Sequence, residues 1–175
     1  MIFNHNNNII SKKNMSNLIV KKGKEGLLFM LEKKKDLDLP YYFDVDLLIN
    51  CYGKSIDIIV ISENEKILSF FFYLKEKRFF FEVITQPKIT QIFGLHHIYN
   101  HDLDERKNFE IQFKSTRLIL DNLSKFDYFS INTNIQNNLP FQWHGFKEEV
   151  KYNYLLNLKP DLELLFNNLD GSVRN

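Results

Sequence analysis

Three apolar runs in close succession decide the fold: IDIIVI at residues 56–61, ILSFFFYL at 67–74 and FFFEVI at 79–84. Two charged segments separate them, ENEK at 63–66 and KEKR at 75–78. β-Branched and aromatic residues favour strands, and short polar loops between such runs favour hairpins. The sequence therefore predicts a three-stranded antiparallel meander with one turn at each charged segment.

Helical patterns flank this meander on both sides. Apolar residues recur at helical spacing from Tyr41 to Ile49, and Gly53 follows as a natural stop. Beyond the meander, Asp102 followed three residues later by Glu105 predicts the start of a second helix. We expect the buried stripe of that helix to contain Phe109, Phe113, Thr116, Leu120 and Leu123.

The remainder of the chain predicts two more strands and a last helix. The alternating run Tyr128 to Asn132 and the run Lys151 to Leu158 fit strands, and Pro160 opens a helical pattern that Gly171 ends. The order of elements predicts an α+β fold, in which helices flank a mixed, mainly antiparallel sheet. The Asn-rich residues 1 to 17 are expected to form a flexible tail, and residues 18 to 175 a single domain.

Bulk composition narrows the function classes. A chain of 175 residues that is 44% hydrophobic can bury a substantial core. Its net charge of +1 gives no overall attraction to nucleic acid or anionic membranes, so we expect no DNA partner. The lysine-rich stretch Lys12 to Lys35 is interpreted as a solvated face. With neither a signal peptide nor an apolar run long enough for a membrane span, the expected location is cytoplasmic.

No short catalytic or metal-binding motif emerges from local spacing. His96, His97 and His101 are the densest group of potential metal ligands, but their spacing matches no metal motif, so no metal is predicted. The six glycines form neither a nucleotide-binding loop nor the Arg/Gln-x-x-Gly-x-Gly/Ala turn that holds coenzyme A pyrophosphate in acetyltransferases of the GNAT class. The catalytic residues therefore remain unknown at this stage.

Three longer elements do resemble one family. QPKITQIFG at 86–94 resembles the "QPxxTQxxG" element of FemAB-like proteins, a branch of the GNAT-fold acyltransferases. LPFQWHGF at 139–146, followed by KYNY at 151–154, resembles the "LPFxWxGF…YTY" element, with Asn153 in place of the usual Thr. GSVRN at 171–175 resembles the start of the "VRxxIxKA" segment. The three matches follow the family's order along the chain.

This resemblance implies a GNAT-like domain corresponding to the N-terminal half of a tandem protein. Such proteins transfer an acyl or aminoacyl group, from a thioester or an aminoacyl-tRNA, to an amine of a cell-envelope or surface-glycan precursor. The resemblance further implies that this chain is truncated and inactive alone, with a second GNAT-like half or a homodimer as its partner. Acyl-CoA would serve the complete enzyme, and we expect no cofactor to be bound by this half.

The same resemblance supplies the candidate substrate-binding residues. Gln86, Gln91 and Trp143 are expected near the cleft, and Arg174 is expected to contact a phosphate or carboxylate. Trp143 has an alternative interpretation, in which it anchors the approach to a strand against the core. The alternative function is a non-catalytic binding or interaction module that uses the same aromatic cleft.

Overall fold

The computed structural model describes residues 17–88, 94–133, 135 and 137–150. The predicted N-terminal tail up to residue 16, the strand at 151–158 and the last helix lie outside these residues. The elements in chain order are β1 (Ile19–Lys22), α1 (Gly23–Lys33), α2 (Val45–Tyr52), β2 (Ile56–Glu63), β3 (Lys66–Arg78), β4 (Phe81–Thr85), β5 (Leu95–His97), α3 (Glu105–Asp121), β6 (Tyr128–Ser130) and α4 (Leu139–Trp143).

One six-stranded sheet organises these elements. Its strands lie in the order β1-β2-β3-β4-β6, and β5 pairs separately with β3. Every pairing is antiparallel except that of β4 with β6. The predicted α+β fold, a mixed and mainly antiparallel sheet flanked by helices, is therefore confirmed, and the predicted meander corresponds to β2, β3 and β4.

The sheet separates two apolar layers. Phe70 and Phe72 of β3 pack with Met30 of α1 and Leu48 of α2 on one face. Residues that alternate with them along the strand, such as Phe71, pack on the other face in a cluster with residues of α3. Since β3 supplies large aromatic side chains to both layers, it is the centre of the core.

The helix predicted from Tyr41 to Ile49 begins later than its pattern indicated. Tyr41–Phe43 form a single 3₁₀ turn, and α2 begins only after Asp44, whose side chain accepts a hydrogen bond from the Leu47 N–H at 2.8 Å. An aspartate at this position satisfies one of the unpaired N–H groups of the first turn. The helix ends at Gly53 as predicted, with the glycine at a φ of 55°.

The second turn of the meander is not where the sequence predicted it. Residues 75–78, expected to be the turn, are the last four residues of β3, and the turn consists of Phe79 and Phe80. Lys75, Lys77 and Arg78 are exposed, because this end of β3 extends past the buried part of the strand. The charged residues are exposed to solvent, as their composition indicated, but they belong to a strand rather than to a turn.

The α3 prediction was also wrong in two details. Its cap is Asp104 rather than Asp102, with the Asp104 side chain accepting from the Lys107 N–H at 2.7 Å. Phe109 is exposed, whereas the neighbouring Asn108 is buried and donates to the Leu103 and Asn100 carbonyls. The buried side of α3 consists of Asn108, Ser115, Thr116, Ile119 and Leu120. Because Asn108 and Ser115 are polar, the apolar pattern of the sequence did not reveal that they are buried.

None of the helices in the described part of the chain is both long and apolar enough to cross a bilayer.

Candidate functional site

The candidate site lies at the carboxyl end of the parallel pair formed by β4 and β6. Their pairing runs from Val83 with Tyr128 to Thr85 with Ser130. In open sheets, ligands bind beyond the carboxyl ends of parallel strands, where the chain leaves the sheet and exposes backbone groups. Among the described strands, this pair alone has that geometry.

Gln86 stands directly after β4 at this end. Its side-chain Oε1 accepts a hydrogen bond from the Asn132 N–H, two residues beyond β6, at 2.5 Å. The side chain thus bridges the two strands at the point where their backbone ladder stops. A glutamine here continues the strand pairing for one further step, and it fixes its own amide group at the mouth of the site.

The QPKITQIFG element is an excursion from the edge of β3. Leu74 pairs with Thr85, whereas Phe71, three residues earlier, pairs with Leu95, ten residues later. The return to β3 therefore uses seven residues more than a continuous strand would need. Consequently β4 and β5 lie one after the other along the same edge of β3, and the excursion leaves the sheet beside the end of β6. Gln91 belongs to the part of the excursion that lies outside the described residues.

Both ends of this excursion are held in place. The Lys88 N–H donates to the Tyr52 hydroxyl of α2 at 2.9 Å. At the other end Gly94 has a φ of 133°, and a Cβ there would lie 3.4 Å from Ile131 Cδ1 and 3.8 Å from the Asn132 carbonyl oxygen. Only glycine adopts this φ readily, so the excursion re-enters the sheet in close contact with the segment after β6. The site therefore has a fixed frame.

Trp143 is the last residue of α4, which packs against α3. The sequence predicted the approach to a strand here, but residues 139–143 form the short helix α4, with Pro140 in its first turn, where a missing N–H costs little. The Trp143 ring contacts Phe113 of α3 edge to face at 5.4 Å, yet the residue is 65% exposed. We call Phe109, Phe113, Leu139 and Trp143 the α3–α4 aromatic surface, since residues four apart share one helix face.

His144 fastens α4 to α3. Its Nε2 lies 2.9 Å from the Asp121 carboxylate, and its Nδ1 lies 2.7 Å from the Pro140 carbonyl oxygen. Both partners are hydrogen-bond acceptors, so the two ring nitrogens join the end of α3 to the backbone of α4. The orientation of the α3–α4 aromatic surface therefore depends on one histidine, to which the sequence analysis assigned no role.

His96 and His97 are part of β5. His96 packs between the rings of Phe43 and Phe70, with centroids 5.0 and 5.1 Å away. His97 points to the opposite face, where burial lowers its pKa to about 4 and His96 adds a smaller effect. Neighbouring strand residues face opposite sides, so the two rings cannot share a ligand.

Polar partners hold His97 in its buried position. Its Nδ1 lies 2.7 Å from Ser69 Oγ, and its Nε2 lies 3.3 Å from Thr116 Oγ1. These contacts link β5 to β3 and α3 through a neutral imidazole. Within the described ranges, no three His, Cys, Asp or Glu side chains are grouped closely enough to hold a metal ion.

The N-terminal end of α3 carries two carboxylates. Helix N-termini bind phosphate through free backbone N–H groups. Here the carboxylate of Asp104 already accepts the Lys107 N–H, and Glu105 adds a second negative charge. A pyrophosphate would have to displace one carboxylate and tolerate another.

The structure describes two of the four predicted substrate-binding residues. Gln86 belongs to the end of the parallel pair, and Trp143 belongs to the α3–α4 aromatic surface. Gln91 and Arg174 lie outside the described residues. Sequence reasoning missed Asn132 and Tyr52, which fix Gln86 and Lys88, because partners 46 and 36 residues away leave no local pattern.

Comparisons with known proteins give the following findings. No protein-family model matches the chain, and a search of curated proteins found no match. Nine solved chains match in structure. A glucosamine-6-phosphate N-acetyltransferase from Arabidopsis thaliana has 12% identity and a TM-score of 0.39, with 79% of this chain and 99% of that chain covered. A possible acetyltransferase from Clostridium difficile 630 has 12% identity and a TM-score of 0.37, with 81% and 99% covered.

A third neighbour is an aminoglycoside N-acetyltransferase in complex with CoA. It has 11% identity and a TM-score of 0.38, with 81% of this chain and 95% of that chain covered. Two of these three neighbours are N-acetyltransferases, and the other is described as a possible acetyltransferase. At such low identities and TM-scores the likeness carries no argument about what this chain does.

Proposed function

We propose that this chain is the N-terminal half of a FemAB-like N-acyltransferase, which transfers an acyl or aminoacyl group to an amine of a cell-envelope or surface-glycan precursor. One observation carries the proposal. The two ends of the element that resembles the family's "QPxxTQxxG" sequence meet the segment after β6, with Gln86 bonded to Asn132 and Gly94 packed against the same residue. The proposal includes a cytoplasmic location.

The chemistry divides the work between two halves. Transfer to an amine needs a held donor, an oriented acceptor and a hydrogen-bond donor for the developing oxyanion. In this proposal the described half supplies part of the acceptor wall, with Gln86 at the end of the parallel pair and Trp143 on the α3–α4 aromatic surface. Gln91 and Arg174 are proposed to complete the contacts to the substrate.

The exposure of the α3–α4 aromatic surface supports the part of the proposal that gives this chain a partner. Phe109 and Trp143 are each more than half exposed. Large exposed apolar patches on soluble proteins usually mark an interaction site. We propose that the α3–α4 aromatic surface meets a second GNAT-like half, supplied by another chain or by a second copy of this one. The chain alone would then be inactive, and robust acyl transfer by the purified 175-residue protein would contradict this.

The donor site is proposed to lie in the other half. Asp104 and Glu105 at the first turn of α3 support this, since they stand where a pyrophosphate would need unpaired N–H groups. Isothermal titration calorimetry of acetyl-coenzyme A with the purified chain tests whether the donor site lies in the other half. We expect no heat of binding, and measurable affinity would show that this half carries its own donor site.

The acceptor wall has a separate test. Amino sugars and short amine-bearing peptides are titrated while backbone amide resonances are recorded. We expect shifts at Gln86 and Asn132, and their loss in a Gln86→Met variant. A Trp143→Ala variant should weaken the same titration, whereas Tyr41→Ala, an exposed aromatic beside α2, serves as the matched control. Shifts confined to other surfaces would remove Gln86 from the site.

The second candidate function is a non-catalytic binding module of the same fold. The capped first turn of α3 favours it, because a module without a donor needs no phosphate site. A coding sequence for a second half directly downstream would favour the acyltransferase. Its absence, together with stable monomeric behaviour in solution, would favour the module.

A further inference from the structure

The turn between β3 and β4 consists of two phenylalanines. Arg78 pairs with Phe81, so Phe79 and Phe80 are the whole loop of a two-residue hairpin. Each of the two is 92% exposed, and Phe79 has a φ of 56°. We call Phe79 and Phe80 the aromatic tip.

The requirements of the turn do not explain this composition. Two-residue hairpins favour Asn, Asp and Gly, because these residues tolerate positive φ. A bulky side chain with positive φ is an outlier, and strain of this kind is concentrated at functional positions. The tip combines this strain with two rings that contribute nothing to the core, so its benefit has to come from a contact outside the described fold.

The tip stands at the end of a projecting arm. Burial on β3 ends at Leu74 and resumes on β4 at Val83, which is opposite Glu76, so the arm comprises residues 75–82 and its outer part, residues 77–82, extends beyond the buried core. At roughly 3.4 Å per strand residue, Lys77 and Arg78 carry the tip about 7 Å beyond Val83. A convex arm of this shape can enter a soft surface while the body of the domain stays outside.

The charges behind the tip are mixed, with a positive excess. Three cations, Lys75, Lys77 and Arg78, accompany two carboxylates, Glu76 and Glu82, within the arm. Arg78 binds Glu76 at 2.8 Å, and Lys77 is opposite Glu82 in the strand register. The five charged side chains of residues 75–82 therefore sum to one positive charge, and the Asp127 carboxylate beside them accepts the Glu82 N–H at 2.7 Å.

We propose that the aromatic tip inserts into the surface of an anionic lipid bilayer. A bilayer accepts two splayed rings without a shaped pocket, and cations just behind the rings reach the level of the headgroups. Aromatic side chains are favoured at that interface. The small net charge means that apolar insertion dominates and the preference for anionic lipid is modest. This inference is independent of the acyltransferase proposal.

Co-sedimentation with lipid vesicles tests the inference. The full chain is mixed with vesicles of phosphatidylcholine alone, or of phosphatidylcholine and phosphatidylserine in equal amounts. We expect binding to both kinds and stronger binding to the mixed vesicles. The double variant Phe79→Gly/Phe80→Asn should bind at least about tenfold more weakly, because it removes the inserted rings. It should also melt no lower than the wild type, because it restores a favoured turn.

Two further variants sharpen the result. Tyr41→Ala removes an exposed aromatic from another part of the surface and should leave vesicle binding unchanged. Lys75→Gln should reduce binding to the mixed vesicles by up to about fivefold, with little effect on pure phosphatidylcholine. Equal binding of the wild type and the double variant would overturn the proposal, as would no binding by the wild type. A wild-type dimer in the absence of lipid that the double variant converts to a monomer would assign the tip to contact between copies instead.

Discussion

The two hairpins at the ends of β3 have the same length and opposite chemistry. Asn64 and Glu65 form the turn from β2, with φ values of 48° and 64°, and Phe79 and Phe80 form the turn into β4. Each loop has two residues, and at least one of them has a positive φ. Both residues of the first turn have a positive φ, whereas in the second turn only Phe79 does. A positive φ suits asparagine and opposes phenylalanine, so position 79 departs from the preference of its backbone. The proposed insertion into a membrane gives a reason for this departure.

The same contrast runs along β3 itself. Phe70 and Phe72 are fully buried between sheet and helices, while the two phenylalanines of the aromatic tip contact solvent. Four side chains of one type, within eleven positions, thus occupy opposite environments. Substitutions at matched positions test this contrast between buried and exposed phenylalanines.

The largest expected effect is that of Phe72→Ala. Removing a fully buried ring leaves a cavity and should lower the free energy of unfolding by about 3–5 kcal/mol. Phe80→Ala, an identical change in solvent, should alter it by no more than about 0.5 kcal/mol. Urea denaturation of both variants measures the difference. Comparable losses would mean that the tip is packed in solution.

A second effect concerns His97 of β5, which pairs with Ser69 of β3. Its pKa of about 4 in the fold lies below the 6.5 of an unperturbed imidazole, so the unfolded chain binds a proton that the folded chain excludes. The contribution is fully present above about pH 6.5 and is lost as the pH falls towards 4. The loss between pH 7 and 4.5 should be roughly 2–3 kcal/mol.

The check is a comparison of pH profiles. The free energy of unfolding of a His97→Gln variant should fall less steeply with acid than that of the wild type. His101→Gln, at an exposed position, is the control and should keep the wild-type slope. Parallel profiles for wild type and His97→Gln would refute the buried neutral imidazole.

A smaller effect is expected at the candidate site. Gln86→Met removes the acceptor for the half-buried Asn132 N–H and should cost about 1–2 kcal/mol. Amide exchange at Asn132 should speed up in the same variant. Gln142→Met, which removes a solvent-exposed contact with Glu148, should cost less than about 0.5 kcal/mol. If the two variants were equally stable, the bridge between β4 and β6 would have no energetic weight.

The smallest effect has the opposite sign. Phe79→Gly/Phe80→Asn should raise the free energy of unfolding by about 1 kcal/mol, because it replaces a bulky residue of positive φ by glycine. Asn64→Phe, which places a bulky residue at a positive φ in the first turn, should lower it by a similar amount. Thermal melting of both variants tests whether a phenylalanine at positive φ is costly in either turn. A lower melting temperature for the double variant would show that the phenylalanines stabilise the hairpin.

Sequence patterns predicted the elements that the core depends on. The apolar runs of β2 and β3 and the helix before them were predicted because burial leaves a periodic signal. The charged end of β3 was misassigned, since a strand that projects beyond the core looks like a turn in composition. The α3 stripe was misplaced because Asn108 and Ser115 are buried polar residues.

The candidate site was only partly predictable. Gln86 was proposed from a resemblance, but its partner Asn132 and the contact of Lys88 with Tyr52 arise from chain segments that meet only in the folded sheet. Helix α4 is too short for a periodic signal, and Pro140 in its first turn was the one local indication of it. Contacts between distant segments are set by topology, which a single sequence does not display.

Trp143 has a practical consequence for experiments in solution. It is the only tryptophan in the chain, and most of its ring already faces water in the folded state. Its fluorescence emission should therefore shift little when the chain unfolds. A partner or substrate that covers the α3–α4 aromatic surface should instead shift the emission to shorter wavelength. The intrinsic fluorescence of this protein thus reports contact at one surface rather than the integrity of the fold.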